Sequence, residues 1–290
     1  MDVLTLHEKL FAHHILMSKH LILFFFIIFS ISTAVAEDNK CYELRVYTAN
    51  EGKLEELNAR FRDHTCKLFE KHGFTNIGYW VPADKSDNRL FYIISSPTRA
   101  AHQKSFSSFL KDPDWKKVHK NSVKNGILVA KIESTFLTAT DYSPEVKSEI
   151  QKHPRIFELR TYTTAEGRLD NLNARFRDHT CKLFEKHGMT NVGYWTPTDK
   201  NKGSANTLIY IISHKSSEQA KKNWKGFISD NDWKKARAKS VEDGKILAIA
   251  PAKIFLEIIL FFSKSLNSLV NIFLLMPSIP RCNIPNLLIF

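Results

Sequence analysis

A strand-like segment near the start of the chain places an acid, a base and a phenol on one face. Glu43, Arg45 and Tyr47 are spaced two residues apart, and side chains at that spacing point to the same side of a β-strand. Arginine binds carboxylates and phosphates through its planar fork of donors. A charge buried in such a place must be paired or must bind something. The pattern therefore predicts either a polar site for an anionic ligand or an internal ion pair that stabilises the fold.

The same set of side chains recurs in the second half of the chain. In both places the alternate residues are mostly apolar, as with Tyr42, Leu44 and Val46. We expect this apolar side to pack against helices and the polar side to face the interior of a barrel. Two tryptophans, each preceded by Gly-Tyr, are either walls of the same cavity or ordinary core residues. The candidate ligand-binding residues are Glu43, Arg45, Tyr47, Trp80, Glu158, Arg160, Tyr162 and Trp195.

The histidines are weaker candidates for chemistry. His64 and His179 lie near the apolar stripe of a predicted helix, where either a general base or a hydrogen-bonded histidine between helix and sheet would fit. The second interpretation is favoured, because this helix covers the outside of the sheet. His72 and His187 precede glycines at a helix end, where a cation is stabilised. The sequence has no metal-ligand spacing, P-loop, dinucleotide fingerprint or nucleophile elbow, so we expect no metal and no cofactor and assign no catalytic residue.

A long duplication organises the chain. LNARFRDHTCKLFEKHG occupies residues 57–73 and again 172–188, and flanking segments such as TNIGYW and TNVGYW also recur in order. Each copy predicts a strand, a helix, two strands, a helix interrupted at Asp112 and a closing strand, which is a ferredoxin-like β-α-β-β-α-β unit. One face of such a sheet lacks helices and must be covered. We therefore predict an α+β fold in which two tandem ferredoxin-like repeats form a pseudo-dimeric α/β barrel within one chain.

These motifs also resemble a known family. The ELRxYT strand, the glycine before the first helix, the His-Gly that ends it, the GYW strand and the DxDW turn are similar to those of the NIPSNAP domain. The resemblance covers residues 41–141 (copy 1) and 156–257 (copy 2), joined by a linker at 142–155. It implies a dimeric α/β-barrel fold but little chemistry, because the family's molecular activity is not settled. Members in eukaryotic mitochondria are linked to protein–protein interactions and mitophagy, and we do not carry those partners over to this chain, because its N-terminal residues predict export.

The two ends differ from the duplicated region. Residues 1–36 have the pattern of a signal peptide: Lys19 and His20, an apolar run at 21–31, and Ala-Val-Ala at 34–36. Met17 offers an alternative start. We expect cleavage near Ala36 and a periplasmic or secreted protein. Residues 258–290 form an atypical apolar tail, and its interruption by polar side chains favours either an abnormal tail or contact with a membrane surface over a membrane span.

Composition narrows the class of partner. The chain of 290 residues is 43% hydrophobic and 25% charged, which is typical of a globular protein, and its net charge is +12. Basic residues follow each DxDW turn, and a solvated helix face is the favoured interpretation. Export removes the usual nucleic acids, so we expect no nucleic-acid partner. Two hypotheses remain: a small ligand between the two sheets, for which the arginines favour an anion, or a non-catalytic protein or polyanion module that uses the basic helices. Catalysis and further dimerisation stay open. The basic residues are Lys116, Lys117, Lys120, Lys124, Lys234, Lys235, Arg237 and Lys239.

Overall fold

Eight antiparallel strands form a closed barrel in the computed structural model, which describes residues 40–145 and 155–261. The strands of copy 1 are β1 (Cys41–Ala49), β2 (Thr75–Pro82), β3 (Arg89–Ser96) and β4 (Val129–Ala139). Those of copy 2 are β5 (Ile156–Thr163), β6 (Thr190–Pro197), β7 (Thr207–His214) and β8 (Ala252–Phe261). Their order around the barrel is β1-β3-β2-β8-β5-β7-β6-β4.

Six helices lie in this part of the chain, three in each copy. In copy 1, α1 joins α-helical Leu54–Arg60, a π-helical turn Phe61–Thr65 and α-helical Cys66–Lys71, and it is followed by α2 (Arg99–Lys111) and α3 (Pro113–Ser122). In copy 2, α4 joins Leu169–Arg175, the π-helical turn Phe176–Thr180 and Cys181–Lys186, and it is followed by α5 (Ser217–Ser229) and α6 (Asn231–Ser240).

The predicted interruption at Asp112 is confirmed. The Asp112 carboxylate accepts a hydrogen bond from the backbone N–H of Asp114, and Pro113 is the first residue of α3. Proline fits there because the first turn of a helix has no internal partner for its N–H groups. Asp230 caps α6 in the same way, through the N–H of Asp232.

Each closing strand joins the two copies. Strand β4 pairs with β1 of its own copy and, through Leu137–Ala139, with β6 of the other. Strand β8 pairs with β5 and then, as far as Phe261, with β2. Residues 258–261, which the sequence assigned to the tail, therefore belong to the sheet. This exchange hides strand edges that would otherwise be open to other chains.

The prediction that Glu43, Arg45 and Tyr47 face the barrel interior is wrong. The interior is filled by the apolar side of β1, including Tyr42 and Leu44, together with large side chains from both copies. Tyr47 packs instead in the helix-covered cluster of copy 1. The same reversal applies to Glu158, Arg160 and Tyr162, because Tyr162 lies in the helix-covered cluster of copy 2. Alternation shows which side chains share a face, but it does not show which layer covers that face.

Candidate functional site

A buried carboxylate on β1 is the centre of a polar cluster under the helices of copy 1. Glu43 is 1% exposed. Its Oε1 accepts hydrogen bonds from Arg45 Nη1 at 2.7 Å and from Ser134 Oγ at 2.5 Å, and its Oε2 lies 2.8 Å from His102 Nε2. Burial disfavours the charged carboxylate, but these hydrogen bonds and the charge of Arg45 outweigh burial, so the pKa of Glu43 lies below its ordinary value. The cluster therefore holds a paired, ionised glutamate.

Copy 2 builds a matching cluster around Glu158. Arg160 Nη1 donates to Glu158 Oε1 at 2.8 Å, and the indole Nε1 of Trp224 donates to Oε2 at 2.7 Å. His214 Nε2 lies 3.3 Å from the same Oε2. Burial again raises the pKa of the glutamate, but the bonds from His214 and Trp224 and the charge of Arg160 bring it below the ordinary value.

The histidines of the two clusters come from different elements. His102 lies on helix α2, and the corresponding position of α5 is Ala220. His214 lies at the end of β7, where β3 has Ser96. Both copies thus place an imidazole against the buried glutamate by separate routes. This arrangement supports the internal ion-pair interpretation for Arg45 and Arg160, because each guanidinium is paired with a carboxylate of its own strand.

A cavity of about 750 Å³ lies beside the copy 1 cluster, between the sheet and the helices. Arg45 and Tyr47 form part of its wall, and Arg45 Nη2 donates to the Tyr47 hydroxyl at 3.2 Å. Most of the remaining wall is apolar and aromatic. It comprises Phe61, Phe69, Phe106, Phe109, Leu110, Trp115, Val123, Ile127, Leu128, Val129, Ala130 and Ile132, with Arg60, Thr65, Lys116, His119 and Lys131 as further polar members.

Arg60 is the functional candidate that sequence reasoning missed. It is 7% exposed and lines the cavity, yet it has no carboxylate partner among the described residues. Its Nη1 donates to Ser122 Oγ at 3.2 Å, and its guanidinium lies 5.5 Å from the Trp115 ring. Its Nε has no hydrogen-bond partner within residues 40–145 and 155–261. Burial lowers the pKa of Arg60 below its ordinary value. The sequence contained one clue: the same arginine recurs as Arg175 in copy 2. It lies in a helical segment whose other repeated residues include several that are buried in the core.

The π-helical turn places Arg60 at the cavity and corrects a prediction for His64. The backbone N–H of Cys66 donates to the carbonyl of Phe61, and Thr65 Oγ1 donates to the carbonyl of Arg60 at 3.2 Å. A π-helical turn contains one residue more than an α-helical turn. After Phe61, the positions that face the sheet therefore change along the sequence. His64 is consequently exposed, and the expectation of a hydrogen-bonded histidine between helix and sheet is wrong. The same holds for His179 in the second π-helical turn.

His72 and His187 have structural partners. His72 follows the last residue of α1, and its Nε2 lies 2.6 Å from Asp112 Oδ2. His187 lies 2.7 Å from Asp230 Oδ2 in the same arrangement. Each bond ties the end of the first helix to the cap of the third, which agrees with the structural role expected for these two residues.

The two predicted tryptophans are separated from the polar residues. Trp80 and Trp195 are each 1% exposed and lie in the barrel interior. A Cβ placed on Gly78 would come within 2.4 Å of the Trp80 ring, and one on Gly193 within 2.3 Å of the Trp195 ring. The Gly-Tyr-Trp motif thus leaves room for the indole over its own strand. The eight predicted site residues are divided between the interior and two helix-covered clusters.

The described residues contain no group of three or more metal-ligating side chains. In the same ranges, no helix is long and apolar enough to cross a membrane. The predicted signal peptide and most of the predicted tail lie outside the described residues.

The closed barrel with outer helices defines an α+β protein of the dimeric α/β-barrel type. A family model described as NIPSNAP matches residues 42–144 and 157–254. The chain belongs to the NIPSNAP family.

Two solved structures with TM-scores above 0.5 share this fold at low identity. A candidate monooxygenase from Fusobacterium nucleatum is 10% identical, with a TM-score of 0.53 over 78% of this chain and 95% of its own. An anthrone oxidase-like protein is 11% identical, with a TM-score of 0.52 over 80% and 98%. A NIPSNAP domain protein from Burkholderia xenovorans is 18% identical, with a TM-score of 0.33 over 36% and 99%. A search of curated proteins finds no match.

Proposed function

We propose that the copy 1 cavity binds a small anionic ligand with an apolar body. This site replaces the space between the two sheets, where the sequence placed the ligand. The barrel interior is filled by side chains such as Trp80 and Trp195, whereas the cavity under the helices has a volume of about 750 Å³. Pockets for small molecules are commonly of this size and mostly apolar, with a few polar groups that fix orientation.

The observation that carries the proposal is the unneutralised charge of Arg60. Arg45 already has Glu43 as its partner at 2.7 Å, so its charge is balanced before any ligand binds. Arg60 is as buried as a core residue, and the hydroxyl of Ser122 is the only hydrogen-bond acceptor that its guanidinium has among the described residues. A buried charge without a counter-charge is unfavourable. An anion in the cavity would relieve this by accepting hydrogen bonds from the guanidinium fork.

The apolar wall selects the rest of the ligand. Phe61, Phe109 and Trp115 line the cavity and offer ring faces and edges to an aromatic or aliphatic body. The candidate monooxygenase and the anthrone oxidase-like protein have names that denote oxidising enzymes. We propose binding as the function of this chain and include no catalytic step.

The direct test is titration of the full-length chain with 8-anilino-1-naphthalenesulfonate, an anionic dye with an aromatic body. We expect saturable binding that Arg60→Gln weakens by about 10- to 100-fold, because a hydrogen bond to a charged group contributes about 1.5–3 kcal/mol. Arg60→Lys keeps the charge but loses the fork of donors, so its affinity for the dye should lie between those of the wild type and Arg60→Gln. Thermal unfolding of each variant checks that the fold is retained.

The matched control is Arg175→Gln in copy 2. Arg175 is also buried and donates to a serine hydroxyl, that of Ser240 at 3.1 Å. If the copy 1 cavity is the site, Arg175→Gln leaves dye binding unchanged. Equal affinity of the wild-type protein and a folded Arg60→Gln variant would contradict the proposal. Native mass measurement of the purified chain would show whether it retains a ligand of its own.

We also propose the finer organisation that the sequence predicted. The two copies are fused ferredoxin-like units that make a pseudo-dimer, and the support is the repeated element order on either side of 142–155. Export follows from the pattern in residues 1–36, and N-terminal sequencing of the mature protein should begin at Glu37. A mature protein that begins near Met17 would overturn the export proposal. Further dimerisation and contact of the tail with a membrane surface remain proposals of the same kind.

A further inference from the structure

The mouth of the copy 1 cavity exposes aliphatic side chains. Leu110 is 49% exposed, Ile127 is 69% exposed and Ile132 is 51% exposed, and all three line the cavity. They come from three different segments: helix α2, the loop before β4, and β4 itself. Single exposed aliphatic residues are ordinary, but a group around a cavity opening marks an interaction surface.

Positive charge borders this mouth. Lys116 lines the cavity on helix α3, Lys120 lies one turn further along the same side of that helix, and Lys124 follows just after the helix ends at Ser122. None of these lysines has a carboxylate partner among the described ion pairs. Lys131 lies on β4 and pairs with Glu133 at 3.0 Å. The rim therefore has an excess of positive charge around an apolar opening.

Copy 2 lacks this combination. It retains exposed aliphatic residues such as Ile228. However, the positions of Lys120 and Lys124 are Ala238 and Glu242, and the position of Ile127 is Lys245. The basic stripe and its adjoining isoleucine are thus features of the copy that contains the described cavity.

We propose that the mouth of the copy 1 cavity docks on an anionic lipid bilayer. Charge complementarity favours an anionic bilayer as the partner of this surface. Lysines are attracted to the anionic headgroups, and aliphatic side chains enter the boundary between headgroups and acyl chains. The inference rests on the proposed function: an amphipathic anion would pass between the bilayer and the cavity without its apolar body crossing water. The ligand class is accordingly a membrane-soluble acid with an apolar body.

The test is co-sedimentation of the full-length chain with phosphatidylcholine vesicles, with and without phosphatidylglycerol. We expect binding that requires phosphatidylglycerol and weakens with added salt. Ile127→Ser with Ile132→Ser should reduce the partition coefficient about tenfold, because two aliphatic side chains lose their apolar contact. Ile228→Ser with Ile249→Ser is the matched pair in copy 2 and should have no effect. The apolar terminal segments are common to all variants, so the comparison isolates the mouth.

A second variant separates this inference from the proposed function. Lys120→Ala with Lys124→Glu introduces the residues of copy 2 at positions that do not line the cavity. It should reduce binding to phosphatidylglycerol vesicles several-fold while the affinity for 8-anilino-1-naphthalenesulfonate stays unchanged. The docking proposal is contradicted if both copy 1 variants bind vesicles as tightly as the wild type does. It is also contradicted if the variants differ from the wild type only in weaker self-association. Loss of dye binding in Arg60→Gln reports on the ligand site independently of the vesicle result.

Discussion

His102 and Glu43 form a buried link between helix α2 and strand β1, with 2.8 Å between Nε2 and Oε2 and both side chains 2% exposed. Copy 2 has no histidine on the corresponding helix, yet an imidazole from β7 reaches the equivalent glutamate. Two halves that share long identical segments thus differ in the source of this group but retain the group itself. Each copy therefore keeps an imidazole beside its buried glutamate, although a different element supplies it.

Removal of the imidazole should destabilise the protein. His102→Ala leaves Glu43 Oε2 without this partner in a buried environment, and we expect a loss of about 1–3 kcal/mol in the free energy of unfolding. Urea unfolding measures it. Gln103→Ala, at an exposed position of the same helix, should change the free energy by less than about 0.5 kcal/mol. Equal stability of His102→Ala and the wild type would show that the link has no energetic role.

The arrangement of copy 2 should be transferable to copy 1. Ser96 occupies the strand position that corresponds to His214, and its Oγ lies 3.4 Å from His102 Nδ1. We expect Ser96→His to recover part of the stability lost in His102→Ala, because the new imidazole can reach Glu43 from β3. Urea unfolding of the double variant checks this. A double variant less stable than His102→Ala alone would contradict the equivalence of the two routes.

The stability of the protein should depend on Glu43 in acid. Because the folded-state pKa of Glu43 lies below its ordinary value of 4.5, its contribution is fully present above that pH and is lost as the pH falls through the folded-state pKa. Glu43→Gln should therefore be less stable than the wild type at neutral pH, and the difference should shrink below pH 4.5. Glu158 is present in both proteins, so its own contribution to the pH dependence of stability cancels in the difference. A difference that stays constant with pH would contradict this assignment.

Gly78 should not tolerate a side chain. A Cβ at this position would lie 2.4 Å from Cη2 of Trp80, which is enclosed in the barrel interior. We expect Gly78→Ala to lower the free energy of unfolding by about 1–3 kcal/mol through overpacking. Trp80→Leu added to Gly78→Ala should couple favourably with it in a double-mutant cycle, since the clash is with the indole. Additive effects would place the strain elsewhere.

Dye binding should strengthen modestly in mild acid. His119 lines the cavity, and burial followed by the charge of Arg60 lowers its pKa below the ordinary value of 6.5. Protonation adds positive charge beside an anionic ligand, so the affinity for 8-anilino-1-naphthalenesulfonate should rise as the pH falls below 6.5. We expect an increase of about two- to fivefold, as for a partly exposed ion pair. His119→Gln should remove this increase while near-ultraviolet circular dichroism confirms the fold, and an unchanged pH profile would exclude His119.

Local patterns in the sequence predicted much of the framework. Alternation identified the strands, Asp112 and Pro113 marked a helix start, and the duplication predicted two matching sets of elements. The same alternation correctly grouped Glu43, Arg45 and Tyr47 on one face. These features depend on neighbours along the chain, and the residue types therefore carry the necessary information.

Tertiary structure decided which layer covers each face and where the cavity lies. Glu43 became a buried ion-pair centre because His102 and Ser134 reach it from distant segments, while Trp80 and its counterpart filled the interior instead. Arg60 became a ligand candidate because a π-helical turn follows it and because no carboxylate in the described part of the chain pairs with it. Periodicity describes each element by itself, whereas burial and charge balance arise only when elements from distant parts of the chain pack together.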